Sequence, residues 1–337
     1  MSIIRDECST SVGIASIAYT FPPKKMLVED IVQNEKIANA SKFDSDIGIE
    51  QVYVFEGEWR SELALLSAKE CLSRAELKAE QIDVIIDFSV MPQDYVVPSW
   101  CMSNQIQHQL GARNAFNLGF GGGGSTNLLV ALRFASSLIQ ADEEVKTALL
   151  IATDVAIPGN RIINPDNPLT VLGDGASALI LTEGKGVCEI IRTNLLSEGK
   201  QHDVLSIPGG GLAFPDRLDL YHLEVSQKKY SQEAAFIQLK KVVSHVARRS
   251  GVEIEDIAHF IGTNISQRDQ AKLTETFGVS NRYPYRENRR QYGHVQATDL
   301  VVNLSQFIEG RGAHERDFGV ICSHGWGFLS GATLINC

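Results

Sequence analysis

The sequence is poor in the features that mark several protein classes. Its six cysteines, Cys8, Cys71, Cys101, Cys188, Cys322 and Cys337, are scattered and form no C-x-x-C pair. That spacing suggests neither a disulfide framework nor a zinc site, and most are expected to be buried thiols acting as small hydrophobes. No apolar run approaches the roughly 20 residues of a spanning helix. The start, MSIIRDECSTSVGIAS, lacks the basic and long apolar regions of a signal peptide, so a cytoplasmic chain without a membrane partner is expected. Basic charge is also short: 31 Lys+Arg against 41 Asp+Glu give a net charge of −10. This balance disfavours nucleic acid or an anionic membrane as the main partner. What remains is ordinary globular composition, 44% hydrophobic and 21% charged over 337 residues. At that length two domains, or one duplicated domain, are expected, because single cores stop growing at roughly 250–300 residues.

A faint internal repeat points to duplication. Four short β-branched-rich runs, Asp83 to Val90, Ala148 to Val155, Ile257 to Asn264 and Phe318 to Gly325, end in small or polar residues, as buried parallel strands do. Within each pair a turn-rich stretch precedes a helical pattern: Gly121 to Ser125 before TNLLVALRFASSLI, and Tyr292 to Ala297 before TDLVVNLSQFI. Both helices are apolar almost all round and therefore belong between layers. The expected architecture is α/β, with half-chains 1–184 and 185–337 related by a pseudo-twofold axis between two buried helices. Amphipathic outer helices are predicted over Ser61 to Leu77 and Gln232 to Ser250, and Ser206 to Asp219 reads as a lid or a surface loop.

Four segments on this repeat carry a resemblance. They are Gly173-Asp174-Gly175-Ala176, Phe116-Asn117-Leu118 with Gly121 to Gly124, Tyr292-Gly293-His294, and Gly325-Trp326-Gly327-Phe328-Leu329-Ser330-Gly331. Together and in this order they resemble the thiolase superfamily, closest to the β-ketoacyl-acyl-carrier-protein synthase III family, over nearly the whole chain. The resemblance implies the duplicated α-β-α-β-α layered fold. It also implies a cysteine nucleophile at the N-terminus of the first buried helix, where this chain has Gly122. Glycine has no side chain, so the covalent acyl-enzyme step is chemically unavailable there. The family's catalytic His and Asn correspond to Thr263 and His294, so an imidazole stands in the other half. The stretch that grips coenzyme A in the family becomes Gly48-Ile49-Glu50-Gln51-Val52, without its phosphate-clamping arginines. Arg268 matches a carrier-docking arginine, and Arg282, Arg286, Arg289 and Arg290 form a basic cluster that either docks an acidic carrier protein or is a solvated loop.

Two functions from different classes follow from the resemblance. One is an acyltransferase of specialised metabolism that uses acyl thioesters without a covalent Cys intermediate. In it His294 is the base, Thr263 orients the acceptor, and the amides of Gly122 and Trp326 form the oxyanion hole. The other is a catalytically silent subunit paired with a Cys-bearing homologue; a thioester hydrolase or decarboxylase would use the same site. A homodimer or heterodimer is expected, with an acyl-carrier-protein or acyl-coenzyme A thioester as substrate. His294 reads equally as a capping or core histidine, His324 and Asp174 read as structural, and Ser125 and Ser266 are minor candidate nucleophiles. The Gly121 to Gly124 run lacks the Lys-Ser/Thr tail of a phosphate loop, and no cofactor or metal is expected.

Overall fold

The computed structural model describes residues 10–37, 43–91, 93–94, 101–210, 213–226, 231–278, 285–310, 317–325 and 328–337. The principal strands are β1 (Val12–Thr20), β2 (Val84–Asp87), β3 (Phe116–Gly119), β4 (Thr147–Asp154), β5 (Gly175–Glu183), β6 (Cys188–Ser197), β7 (Ile257–Ile261), β8 (Phe318–Gly325) and β9 (Leu329–Asn336). They are ordered β7-β8-β9-β6-β1-β5-β4-β2-β3. The β2–β4 and β7–β8 pairs are parallel, as the repeat requires, and each is flanked by an antiparallel strand, β5 and β9. The two blocks meet through β1 and β6 at one register pair, Gly13 with Glu189.

Alternation along the strands builds the layers. Ile85, Leu149 and Ile151 face one core with Leu63, Ala64, Ala68 and Leu72 of helix α1 (Ser61–Arg74) and Met102 and Ile106 of α2 (Met102–Leu110). Their neighbours Val84, Ile86, Leu150 and Ala152 face the larger core on the other side of the sheet. That core holds α3 (Asn127–Ala141), α4 (Gln232–Arg249) and α7 (Thr298–Glu309). Two shorter helices, α5 (Gln267–Phe277) and α6 (Arg286–Tyr292), lie between α4 and α7 in the chain. Because α3 and α7 are covered by layers on both sides, truncating a fully buried residue such as Leu132 or Leu300 to Ala should cost about 2–5 kcal/mol.

The halves approach most closely at glycines. A Cβ on Gly325, at the end of β8, would stand 1.8 Å from the Gly123 carbonyl oxygen, so only glycine lets β8 end against the start of α3. The scattered cysteines are not all thiols. Cys188 and Cys337 form a disulfide, because the antiparallel β6–β9 register that pairs Glu189 with Asn336 sets them side by side. Sequence spacing carried no sign of it: the two lie 149 residues apart.

Candidate active site

The N-termini of α3 and α7 converge on one cavity of about 300 Å³. Gly122, Gly124 and Ser125 line it from the first half and His294 and Gln296 from the second; Val90, Met91, Ile163 and Leu172 add apolar wall. The irregular stretch after residue 200 forms a short hairpin, Leu205–Ser206 paired with Glu224–Val225. Leu205, Ser206, Ile207 and Leu223 thereby cover the cavity, which gives the stretch between Ser206 and Asp219 a place at the site.

His294 is 1% exposed, and its Nδ1 stands 2.6 Å from Asp299 Oδ2. An ionised carboxylate only accepts, so in the neutral ring Nδ1 carries the proton and Nε2 keeps the lone pair that a base needs. Asp299 is fixed in turn: Val295 N donates to Oδ1 at 2.7 Å and Asn264 N donates to Oδ2 at 2.7 Å. Asn303 Nδ2 then ties Asn264 Oδ1 (3.0 Å) and the Gly262 carbonyl (2.7 Å) to α7. The His294 backbone is pinned as well, since its N–H donates to Val171 O and its carbonyl accepts from Gly173 N. The Tyr-Gly-His and Gly-Asp-Gly-Ala segments are therefore in direct contact. Asp174 itself is structural: it is fully buried, makes a bidentate pair with Arg161 at 2.8 and 2.7 Å, and accepts from Phe55 N and Ala156 N.

Asp154, at the end of β4, joins the two helices to the sheet. Its Oδ1 accepts from Val90 N (3.0 Å) and its Oδ2 from Ala297 N (3.1 Å), where the positive end of the α7 dipole lies. Burial nevertheless pushes its carboxyl up to about 7, and burial raises neighbouring Asp87 to about 6.

Gly122 has φ of 84°, and a Cβ built there meets no atom within 4 Å. Position 122 thus opens into free space beside the cavity. Cys101 does not fill it; its Sγ lies against Gly119 of β3, 3.3 Å from where a Cβ would be. Ser125 precedes the α-helix, in a 3-10 turn over Gly124–Thr126, and lines the cavity instead of lying a turn inside the helix. No hydrogen bond joins it to His294 among the described residues. Ser266 caps α5 by accepting from Asp269 N and lies outside the cavity.

Several expectations need correction. Thr263 does not share the His294 cavity: it lines a smaller one of about 60 Å³ with Leu239, Cys322, His324 and Phe328, because β7 ends on the α4–α5 side of the sheet. His324 there bonds Ser330 Oγ through Nδ1 at 2.7 Å, and burial lowers it to about 4. The arginine cluster also divides. Arg289 is 2% exposed and donates to Gln270 and to the Gly48 carbonyl, so it is interior and unable to dock a carrier. Arg290 is bound to Glu50 at 2.5 Å and to Glu287 at 2.9 Å. Arg268 is partly exposed and Arg286 exposed, while Arg282 and Trp326 lie outside the described residues. Asp299 and Gln296 were missed from sequence. The available signal was a polar residue in the first turn of a helix otherwise apolar enough to be buried.

Comparison with known proteins agrees with this fold. Residues 123–199 match the model of 3-oxoacyl-acyl-carrier-protein synthase III, and residues 247–337 match the model of its C-terminal part. Similar solved structures include 3-oxoacyl-(acyl carrier protein) synthase III from Pseudomonas aeruginosa PAO1 (TM-score 0.80, 20% identity, 97% of this chain and 98% of that one). The acyltransferase ChlB3 is another (TM-score 0.80, 18% identity, 96% and 97%). The fold is thus the thiolase-like α/β fold. A curated relative, β-ketoacyl-acyl-carrier-protein synthase III of Clostridium perfringens strain SM101, is 26% identical over 321 residues, covering 94% of this chain and 96% of its own length. The chain is thus similar to β-ketoacyl-acyl-carrier-protein synthase III proteins in sequence and in fold, and an enzymatic role is consistent with the names of those relatives. Among the described residues no helix is long and apolar enough to cross a membrane.

Proposed function

We propose that the protein is an acyltransferase that moves an acyl group from a thioester, carrier-protein-bound in preference to free coenzyme A, directly to an acceptor in specialised metabolism. The observation that carries this reading is the His294–Asp299 pair in a cavity whose opposite wall offers Gly122 in place of a thiol. His294 Nε2 takes the proton of an acceptor O–H or N–H. The acceptor attacks the thioester carbonyl, the C–S bond breaks, and the imidazolium returns its proton to the leaving thiolate. Asp299 positions the ring and stabilises the imidazolium, while the Gly122 amide stabilises the oxyanion. Direct transfer requires both partners bound together, and orientation then supplies much of the barrier reduction. Thr263, in the neighbouring cavity, has no role on the acceptor in this scheme.

Arg268 and Arg286 remain as the carrier contacts, since Arg289 is buried and Arg290 is paired. Strand β3 has a sheet neighbour on one side only and carries Phe116, 47% exposed, which supports a dimer formed across that edge. The test is release of free thiol from a panel of acyl-carrier-protein and acyl-coenzyme A thioesters, with amine, alcohol and malonyl acceptors, beside His294→Ala. Release accelerated by one acceptor and lost in the variant supports the transferase and names its reaction. Acceptor-independent, His294-dependent release identifies a hydrolase. No release from any thioester contradicts catalysis and leaves the silent partner of a Cys-bearing homologue.

A further inference from the structure

Four consecutive glycines cannot hold a shape by themselves, because residues without a Cβ keep access to both hands of backbone. The run nevertheless has one definite form, with φ of 84° at Gly122, −96° at Gly123 and 56° at Gly124. The two left-handed members line the His294 cavity. Gly123 between them is buried, whereas Gly122 is exposed and Gly124 partly so. Among the described residues one side chain is hydrogen-bonded to the run: Asn127, whose Oδ1 accepts from Gly123 N at 2.9 Å.

Asn127 is 1% exposed, and its other end is engaged too: Nδ2 donates to the Ser89 carbonyl at 3.1 Å. A backbone N–H on one side and a carbonyl on the other admit a single orientation of the side-chain amide. Ser89 is itself held, its N–H and Oγ donating to Asp87 Oδ1 at 2.9 and 2.6 Å. The next residue, Val90, donates to Asp154 Oδ1, and Asp154 Oδ2 accepts from Ala297 N at the start of α7. One chain of hydrogen bonds therefore runs from Gly123 through Asn127, Ser89–Val90 and Asp154 to the helix that carries Asp299. It ties together three parts of the cavity wall: the glycine turn, Val90 with Met91, and the His294 turn. Asn127 takes up the Gly123 amide and leaves the glycines on either side at that wall.

We propose that Asn127 is a positioning residue: through its bond to Gly123 it holds the Gly122 amide toward the thioester carbonyl, at a fixed separation from His294. The inference deepens the transferase reading and rests on it for the identity of the carbonyl. Asn127 touches no substrate and acts through the turn. A turn free to swing would still admit an acyl chain, which the apolar wall holds. It would meet the negative charge growing on the carbonyl oxygen with its donor out of line. Preorganised donors act on the transition state more than on the bound substrate, so the loss falls on kcat and not on KM.

The test uses the full chain with hexanoyl-N-acetylcysteamine carrying a 13C carbonyl, and the variants Asn127→Leu and Asn127→Asp. Leu keeps the approximate volume and removes both bonds; Asp keeps an oxygen for Gly123. Below the melting temperature of each protein, the isotope-edited carbonyl stretch of the bound probe should lie lower in the native protein and in Asn127→Asp than in Asn127→Leu. Thiol release should fall about 10–10²-fold in kcat for Asn127→Leu, with KM within about threefold, and stay within about fivefold of native for Asn127→Asp. A general loss of folded protein would give neither that split nor that rescue. If native protein and Asn127→Leu give the same carbonyl stretch, the proposal is overturned, whether or not thiol is released. An Asn127→Leu protein that releases thiol with the native kcat also overturns it, and leaves the transferase reading standing. A stretch that is lower in native protein than in Asn127→Leu, with no thiol released by either, keeps the positioning role and sinks the transferase reading.

Discussion

The two buried helices begin in opposite ways. The start of α3 is stripped of chemistry: Gly121 to Gly124 carry no side chains, and the turn is closed by Asn127 Oδ1, which accepts from Gly123 N at 2.9 Å. The start of α7 is crowded with it, holding His294, Gln296 and Asp299 within six residues of chain, with Asp154 bonded to its first amides. In a duplicated fold both helix ends inherit the same field and the same free amides. The difference therefore lies in side chains, and in the proposed reaction it leaves binding of developing negative charge to the first half and proton transfer to the second. The two histidine cavities make the same point. His294 bonds a carboxylate that holds its ring in place; His324 bonds the neutral Ser330 hydroxyl and is held down near 4 by burial, so it stays an uncharged ring.

The sharpest break in this comparison is His294→Ala, for which thiol release should fall about 10²–10⁴-fold. Asp299→Asn should fall somewhat less, about 10²–10³-fold, because its amide can accept from Nδ1 but no longer balances the imidazolium charge; an Asp299→Asn protein that releases thiol at the native rate would contradict that assignment. A thiol placed at Gly122 tests the other helix. Gly122→Cys has open space but a left-handed backbone, so it should fold with a loss of about 1–2 kcal/mol and acquire a covalent acyl group by intact mass. An unmodified Gly122→Cys protein incubated with a thioester that the native chain consumes would show that Gly122 does not face the acyl carbon.

A smaller effect concerns pH. Asp154 is raised to about 7 by burial, so the folded state holds its proton more tightly than the unfolded chain does. That stability is complete below the ordinary carboxyl range near 4 and is lost as pH rises through about 7. His324 has the opposite sign: its lowered folded value means stability present above about 6.5 and lost as pH falls toward about 4. Between about pH 6.5 and 8 the loss from Asp154, with a smaller one from Asp87 raised to about 6, outweighs the last of the gain from His324, so the melting temperature should decline there, and Asp154→Asn should flatten the decline. The smallest expected change is for Arg290→Ala, whose partly exposed pair with Glu50 should leave both the melting temperature and thiol release nearly unaltered. A large loss of carrier-dependent release in Arg290→Ala would return it to the docking surface.

Much of the architecture was legible because it rests on periodicity. The run Thr147–Asp154 is buried at every position and the helices after residues 126 and 297 are apolar around most of their circumference, patterns with one structural solution each. His294 and Gly122 were legible through motif order. The pairing of His294 with Asp299 was not, because a single acid in an apolar helix looks like a flaw until the ring opposite it is in place. Asn127 was hidden for a similar reason: its bonds to Gly123 and Ser89 exist only in three dimensions. The docking role given to Arg289 failed because a charge run on paper does not say which members turn inward, and α6 directs Arg289 under the Gly48 carbonyl. The disulfide was invisible for want of strand register.

Acyl transfer without a covalent intermediate is tested most directly by the intact mass of the native protein sampled during steady-state thiol release. Release that depends on His294 while the protein mass stays unchanged is the expected result. An acyl adduct that forms and decays at the turnover rate, on Ser125, Cys101 or any other side chain, would contradict it.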